Sequence, residues 1–159
     1  FYLGVRHSRL LAPKHRLLLR SEIAYTQVAT RDFSISLDDR ELDLSISRLP
    51  EAYRFKTGGD RTIRGYGFES LSNNRIGSNH LLTASAEYEY RIASEWSLAG
   101  FYDVGNAFNR FSDLSLRHGV GMGVRWYSLI GPVRLDIARG LDEPSEDIRI
   151  HITIGSQLF

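Results

Sequence analysis

Ile148-Arg149-Ile150-His151-Ile152-Thr153-Ile154 alternates apolar and polar residues without a break. Successive side chains of an extended chain point to opposite faces. The isoleucines therefore share one face; Arg149, His151 and Thr153, with Gln157 beyond them, share the other. This pattern dictates a strand with one apolar and one polar face. It does not say which face is wet. A soluble sandwich would bury the isoleucines, whereas a membrane barrel would turn them to lipid and the polar face to an aqueous lumen.

The same split recurs along the chain. In Leu81–Ile92, Leu82, Ala84, Ala86, Tyr88, Tyr90 and Ile92 oppose Thr83, Ser85, Glu87, Glu89 and Arg91. Leu17, Leu19, Ile23 and Tyr25 oppose Arg20, Glu22 and Ala24, and Val133, Leu135 and Ile137 oppose Arg134 and Asp136. The run from Gly119 to Trp126 alternates glycine or arginine with apolar residues, so its inner side leaves room for close packing. The pattern predicts about seven strands, at 1–10, 14–29, 81–92, 96–107, 119–129, 132–140 and 147–158, near the length that a tilted membrane strand needs.

Connection lengths separate the two readings. Ala12-Pro13-Lys14, Ala93-Ser94-Glu95 and Ile130-Gly131-Pro132 are short turns, and they alternate with long links at about 31–80, 109–117 and 141–147. Short turns at one end and long loops at the other are the plan of an outer-membrane barrel. Tyr88, Tyr90, Trp96, Trp126 and Tyr127 lie near strand ends, where interfacial aromatic girdles form. The expected fold is all-β, an antiparallel transmembrane β-barrel. An odd strand count leaves open edges that lipid does not tolerate, and the chain opens inside a strand at Phe1-Tyr2-Leu3. The missing strands would lie upstream in a parent chain or be supplied by another copy, and residues 1–159 are expected to be the C-terminal part of a larger barrel domain.

Composition narrows the function. The 159 residues carry 20 Lys+Arg against 19 Asp+Glu, a net charge of +1 that gives no basic field for nucleic acid. Cysteine is absent, which excludes disulfides and thiolate metal sites, and the 5 histidines show no ligand spacing, so neither metal nor cofactor is expected. No window approaches the roughly 20 apolar residues of a membrane helix.

Gly58-Gly59-Asp60-Arg61-Thr62-Ile63-Arg64-Gly65-Tyr66 is too glycine-rich and too charged for a core element, yet strands flank it on both sides. Glu87 and Asp103 fall at inward positions of the two strands that follow. An arginine between Ile63 and Gly65 predicts a loop that folds back into an enclosed space to fork onto a carboxylate. Asp103 and Glu87 are the candidate partners. Gly65 would let the backbone pass close to the wall, with Tyr66 packing beside Arg64 or on a floor formed by Gly121 and Gly123. Arg134 and Asp136 share the inward face and would extend the charge network, or compensate each other alone.

Four motifs in order give the chain a wider likeness. They are Ile63-Arg64-Gly65-Tyr66; Phe101-Tyr102-Asp103-Val104-Gly105-Asn106-Ala107-Phe108; the glycine strand Gly119 to Arg125 followed by Gly131-Pro132-Val133-Arg134-Leu135-Asp136; and a terminal strand with Gly155 and Phe159. Together they resemble the C-terminal barrel half of the outer-membrane assembly-factor superfamily, which includes TamA, BamA and the two-partner secretion transporters. The run from Gly58 to Tyr66, with its Asp60-Arg61 pair, is most similar to the TamA branch. Segment 31–50 departs from the pattern as an extra charged hairpin with Asp38-Asp39 at its tip.

The resemblance implies a barrel of about 16 strands in the bacterial outer membrane. Loop 31–80 would enter the lumen from outside and be held there by Arg64. It implies insertion of nascent β-barrel proteins and autotransporters at a seam formed by strand 147–158, where an unpaired edge offers β-augmentation and a short hydrophobic rim thins the bilayer. Gly155 would let that strand bend, and Phe159 would end its assembly signal. The implied partners are the lipid bilayer, the client strands and a periplasm-spanning inner-membrane protein like TamB. A polypeptide-secreting pore of the two-partner type is the alternative. A passive porin fits poorly with a loop anchored in the lumen, and a barrel hydrolase around Ser115 and His118 lacks an acid to orient the histidine.

Overall fold

A computed structural model describes residues 1–27, 30–37, 40–47, 50–72, 76–129, 131–142 and 147–155, with backbone alone over 30–47. Seven strands form one antiparallel sheet: β1 (Tyr2–Ala12), β2 (His15–Tyr25), β5 (His80–Arg91), β6 (Trp96–Phe108), β7 (Arg117–Ser128), β8 (Gly131–Gly140) and β9 (Arg149–Ile154). They lie in the order β1-β2-β5-β6-β7-β8-β9, with β1 and β9 at the two ends. The remaining pair, β3 (Thr30–Leu37) and β4 (Arg40–Ser47), makes a separate two-stranded ribbon inside the long β2–β5 connection. Strands thus form where alternation predicts them. β2 stops at Tyr25 rather than at 29, and the expected tip at Asp38-Asp39 lies outside the described residues.

Registers run without slips over most of the sheet, which keeps each residue's parity across every ladder. Glu87 pairs with Phe101, Phe101 with Gly121, and Gly121 with Ala138, all on one face. That face is covered, and it is polar: Thr83, Glu87, Glu89, Ser97, Asp103, Arg125 and Asp136 are all buried. The opposite face is apolar and bare, with Ile23, Tyr88, Leu98, Met122, Ile137, Ile150 and Ile152 exposed. A water-soluble sheet would carry the reverse arrangement, because exposed apolar area of this extent is not tolerated in water. An 11-residue strand such as β2, tilted by about 40°, rises about 28 Å and matches an apolar band of about 25 Å. No helix among the described residues is long and apolar enough to cross a membrane, which says nothing about strands.

Trp96 and Trp126 stack across the β6–β7 ladder, with ring centroids 5.9 Å apart, at the short-turn end of the outer face. Tyr127 departs from the expected girdle. Its parity turns it inward, where its hydroxyl donates to Glu89 Oε2 at 2.7 Å and meets the Arg16 guanidinium, which also pairs with Glu89. One residue along a strand reverses the face, so proximity to Trp126 in sequence does not place it beside Trp126 in space.

Candidate functional site

The loop between β4 and β5 packs onto the polar face of the sheet. Short bridges fold it on itself, Phe55 against Ser78 and Thr57 against Leu71, and Phe55 rests on the small core of Ala24, Leu81 and Ala107. Its tight turn is built on glycine. Gly58 has φ +105°, and a Cβ there would lie 2.3 Å from the Gly67 carbonyl oxygen. Gly65 has φ +96°, and a Cβ there would lie 2.4 Å from the Arg139 carbonyl carbon. Both conditions exclude an L side chain. Between the two, Thr62 Oγ1 accepts from the Gly58 N–H at 2.8 Å and Arg20 of β2 donates to the Thr62 carbonyl at 3.1 Å. Ile63 and Tyr66 are completely buried.

Arg64 projects from this turn into the inward carboxylates. Its Nε is 2.8 Å from Asp103 Oδ2 and its Nη2 2.9 Å from Asp103 Oδ1, and its own backbone N–H donates to Oδ2 at 3.1 Å. Nη1 donates to Glu87 Oε2 at 2.7 Å and to Asp136 Oδ2 at 3.3 Å. The guanidinium carbon sits 3.3 Å from the centroid of the Phe101 ring, a cation–π contact that closes one face of the group. Ser85 completes the shell by donating to Asp103 Oδ1 at 2.5 Å.

Arg125 of β7 is the residue that sequence reading left without a role. It is fully buried, donates through Nε to Glu87 Oε1 at 3.0 Å and through Nη1 to Asp136 Oδ1 at 2.5 Å, and so ties two of Arg64's partners together. Its signal was present: Arg125 shares the inner parity of Gly119, Gly121 and Gly123. Arg134 stands further off, with Nη2 4.0 Å from Glu87 Oε1. Three carboxylates and three guanidiniums thus meet on four adjacent strands and one loop, a near-neutral cluster that a low-dielectric site accepts.

The glycines divide their work differently from the expected floor for Tyr66. A Cβ on Gly119 would lie 2.0 Å from the Arg64 carbonyl oxygen, and one on Gly140 would lie 2.6 Å from Tyr66 Cζ. Those two glycines receive the loop. Gly121 instead makes room for the Phe101 ring, and Gly123 for the Asp136 carboxylate. The expectation for Gly121 and Gly123 is corrected accordingly: they hold the network under the loop, because Tyr66 sits nearer the long-loop end than their register.

Tyr66 is anchored beyond the cluster. Its hydroxyl donates to Asp142 Oδ2 at 2.6 Å and lies 3.2 Å from the His118 carbonyl, and Asp142 Oδ2 also accepts from the His118 N–H at 2.5 Å. Burial, reinforced by the Asp142 carboxylate, pushes the Tyr66 phenol up to about 12. Burial alone would raise the Asp142 carboxyl, but the bonds from Tyr66 and His118 outweigh it and hold the group below its ordinary value.

The flanks of the motif reach β9. Asp60 Oδ2 accepts from Thr153 Oγ1 at 3.4 Å, and the Gly65 N–H donates to His151 Nε2 at 3.2 Å. Gly59 N–H donates to the Ile63 carbonyl at 3.1 Å, and Arg61 is exposed and lines the open concavity on the inner side of the sheet. Gly155 has φ +111° and nothing within 4 Å of a built Cβ, and its N–H donates to the Pro132 carbonyl at 3.0 Å. Phe159 lies outside the described residues. His118, raised above as a possible base, is engaged with Tyr102 Oη at 2.5 Å, and the Ser115 carbonyl accepts from Asn106.

Comparison with known proteins supplies the lineage. Residues 20–158 match the model of the Omp85 superfamily domain. Over 107 residues, 60% of this chain and 14% of the relative, the sequence is 29% identical to the outer membrane protein assembly factor BamA of Nitratidesulfovibrio vulgaris. The fold is similar to the crystal structure of BamA from Haemophilus ducreyi lacking POTRA domains 1–3, with TM-score 0.66, 17% identity, and coverage of 95% of this chain and 33% of that one. The chain thus spans a small part of the length of the relatives it matches. An inverted sheet, apolar outside and charged within, together with a family match over nearly its whole length, makes this chain part of a bacterial outer-membrane β-barrel belonging to the Omp85 superfamily.

Proposed function

We propose that this barrel assembles and inserts other β-barrel proteins, autotransporters among them, into the outer membrane, and that the Arg64 loop holds the barrel in its working form. The observation that carries the reading is the two-point grip of Arg64 on Asp103, which seats the loop on the charged inner face of the sheet. BamA relatives are named as assembly factors, and the likeness supports the same class of work here. The mechanism uses edges rather than bond chemistry. A strand at the edge of a sheet presents N–H and C=O groups that pair with an incoming strand, and on this reading β9 is the strand that does so in the whole barrel. The protein acts without a catalytic residue or cofactor.

On this reading residues 31–80 are an external loop folded into the lumen, and the TamA branch is the closest fit because Asp60-Arg61 follows the double glycine. A periplasm-spanning inner-membrane protein like TamB is then the partner. The test is Arg64→Ala in the full-length protein, scoring client assembly in cells with barrel abundance and heat-modifiable mobility as controls. Loss of assembly with a folded barrel is expected. Normal assembly, with export of one co-encoded polypeptide, would overturn the reading in favour of a two-partner secretion pore.

A further inference from the structure

Besides the Arg20 bond to the Thr62 carbonyl, residues 60–65 are held from two directions, and only one of them involves Arg64. On one side the guanidinium is gripped by β5, β6 and β8 through Glu87, Asp103 and Asp136. On the other side lies β9, which receives the Gly65 N–H on His151 Nε2 at 3.2 Å and gives the Thr153 hydroxyl to Asp60 at 3.4 Å. β9 has 6 residues, against 10 in β8 and 13 in β6, and it stands at the end of the sheet. Its ladder to β8 runs from Val133↔Ile154 to Ala138↔Arg149. His151 and Thr153 are thus two points at which its inward face is tied to the loop.

We infer that His151 and Thr153 latch β9 to the arginine loop, so that seating of the loop and placement of the last strand form one coupled equilibrium. Gly65 is buried, and a buried amide deprived of its acceptor is disfavoured. Swinging β9 away therefore strands the Gly65 N–H, and lifting the loop removes both of these bonds to β9. His151 is a positioning residue: it touches no client, but it transmits the state of Arg64 to the strand edge. The inference deepens the assembly reading and rests on it for its purpose, since a seam strand must be closed at rest and released when a client arrives.

The latch has a chemical signature. To accept from Gly65, Nε2 must keep its lone pair, which requires the neutral imidazole with its proton on Nδ1. An imidazolium donates from both nitrogens and cannot accept. The charged groups around His151 are Asp136 from β8, in register with it, Asp60 and Arg64 from the loop, and Arg149 on its own strand. Protonation therefore releases the Gly65 bond while leaving the Thr153 bond in place.

The test is hydrogen–deuterium exchange on the full-length protein in lipid nanodiscs, followed in peptides covering 58–66 and 149–155. His151→Leu is expected to speed exchange in both peptides by about tenfold, the effect of one lost hydrogen bond of ordinary net strength. His151→Gln, whose amide oxygen can accept, is expected to stay near the parent. Arg64→Ala, whose bonds run to other strands, is expected to speed exchange in 149–155. Unchanged exchange of 149–155 in Arg64→Ala, or a Gln variant as loose as the Leu variant, overturns the latch. None of these readouts uses a client. Coupling that holds while cells lacking the protein assemble clients normally removes the assembly reading alone; lost coupling while those cells fail to assemble clients removes the latch alone.

Discussion

Arg64 and Asp103 meet through three hydrogen bonds, two from the guanidinium at 2.8 and 2.9 Å and one from the Arg64 backbone N–H at 3.1 Å. One carboxylate thereby fixes both the side chain and the main chain of the loop tip. Arg64 is 4% exposed and Asp103 completely buried, so the pair is shielded from the screening that makes surface ion pairs weak. Removing either partner strands the other. Asp103→Ala is expected to lower stability by about 3–5 kcal/mol. Asp103→Asn, which keeps one acceptor oxygen, should lose less. Urea unfolding of the barrel in detergent, read by heat-modifiable mobility, ranks the two.

Arg64→Lys keeps the charge and discards the fork. A lysine ammonium cannot make two parallel bonds to Asp103 while also reaching Glu87 and stacking on Phe101. The variant is expected to fall between the parent and Arg64→Ala, in both stability and client assembly. Equality with the parent would show that charge alone holds the loop.

Arg125 is expected to matter as much as Arg64. Arg125→Ala leaves Glu87 and Asp136 sharing one guanidinium, Arg64, plus the more distant Arg134, and should cost about 3–5 kcal/mol. The double variant Arg64→Ala, Arg125→Ala should fall short of the sum of the single effects, because both arginines serve the same carboxylates. Additive losses in the same unfolding assay would show two independent contacts.

Glycine-to-alanine changes separate close approach from mere flexibility. Gly119→Ala places a methyl 2.0 Å from the Arg64 carbonyl oxygen, a backbone contact that cannot rotate away, and is expected to cost about 1–3 kcal/mol and unseat the loop. Gly100→Ala meets nothing within 4 Å on the outer face and should stay within about 0.5 kcal/mol of the parent. Limited proteolysis of the loop checks the pair: cleavage should appear in Gly119→Ala and not in Gly100→Ala.

The Tyr66–Asp142 bond predicts an acid limb. The folded carboxyl of Asp142 titrates below its ordinary value, so its contribution to stability is complete above that value, about pH 4, and is lost as pH falls through the folded one. Asp142 is exposed, which keeps the contribution small. Tyr66→Phe should remove about 1 kcal/mol at neutral pH and flatten this limb. Thermal unfolding between about pH 5 and pH 3 measures both. A limb equally steep in Tyr66→Phe would assign it to other carboxyls.

Strand positions, the inward parity of Glu87, Asp103, Arg134 and Asp136, and the unusual loop from Gly58 to Tyr66 were all legible in the sequence, because a strand's period of two is a local property that each residue carries with it. Parity could not say which inward residues meet. Arg64 and Asp136 are 72 positions apart and Arg125 and Glu87 38 apart, and only the ladders β5–β6–β7–β8 bring them to one level. Tyr127 shows the same limit from the other side: its neighbour Trp126 is a girdle residue, yet one step of the pleat sends Tyr127 to Glu89 and Arg16.

The sequence by itself determined the two-faced strands, the alternation of short and long connections, and the presence of a charged loop with glycine at its bends. The tertiary structure decided which face is covered, that Gly119 and Gly140 rather than Gly121 and Gly123 receive the loop, and that β9 shares the loop's hydrogen bonds. The reason is physical. Alternation is written residue by residue, whereas burial, close approach and a shared carboxylate depend on register between strands far apart in the chain, and register is settled only when all the strands pair at once.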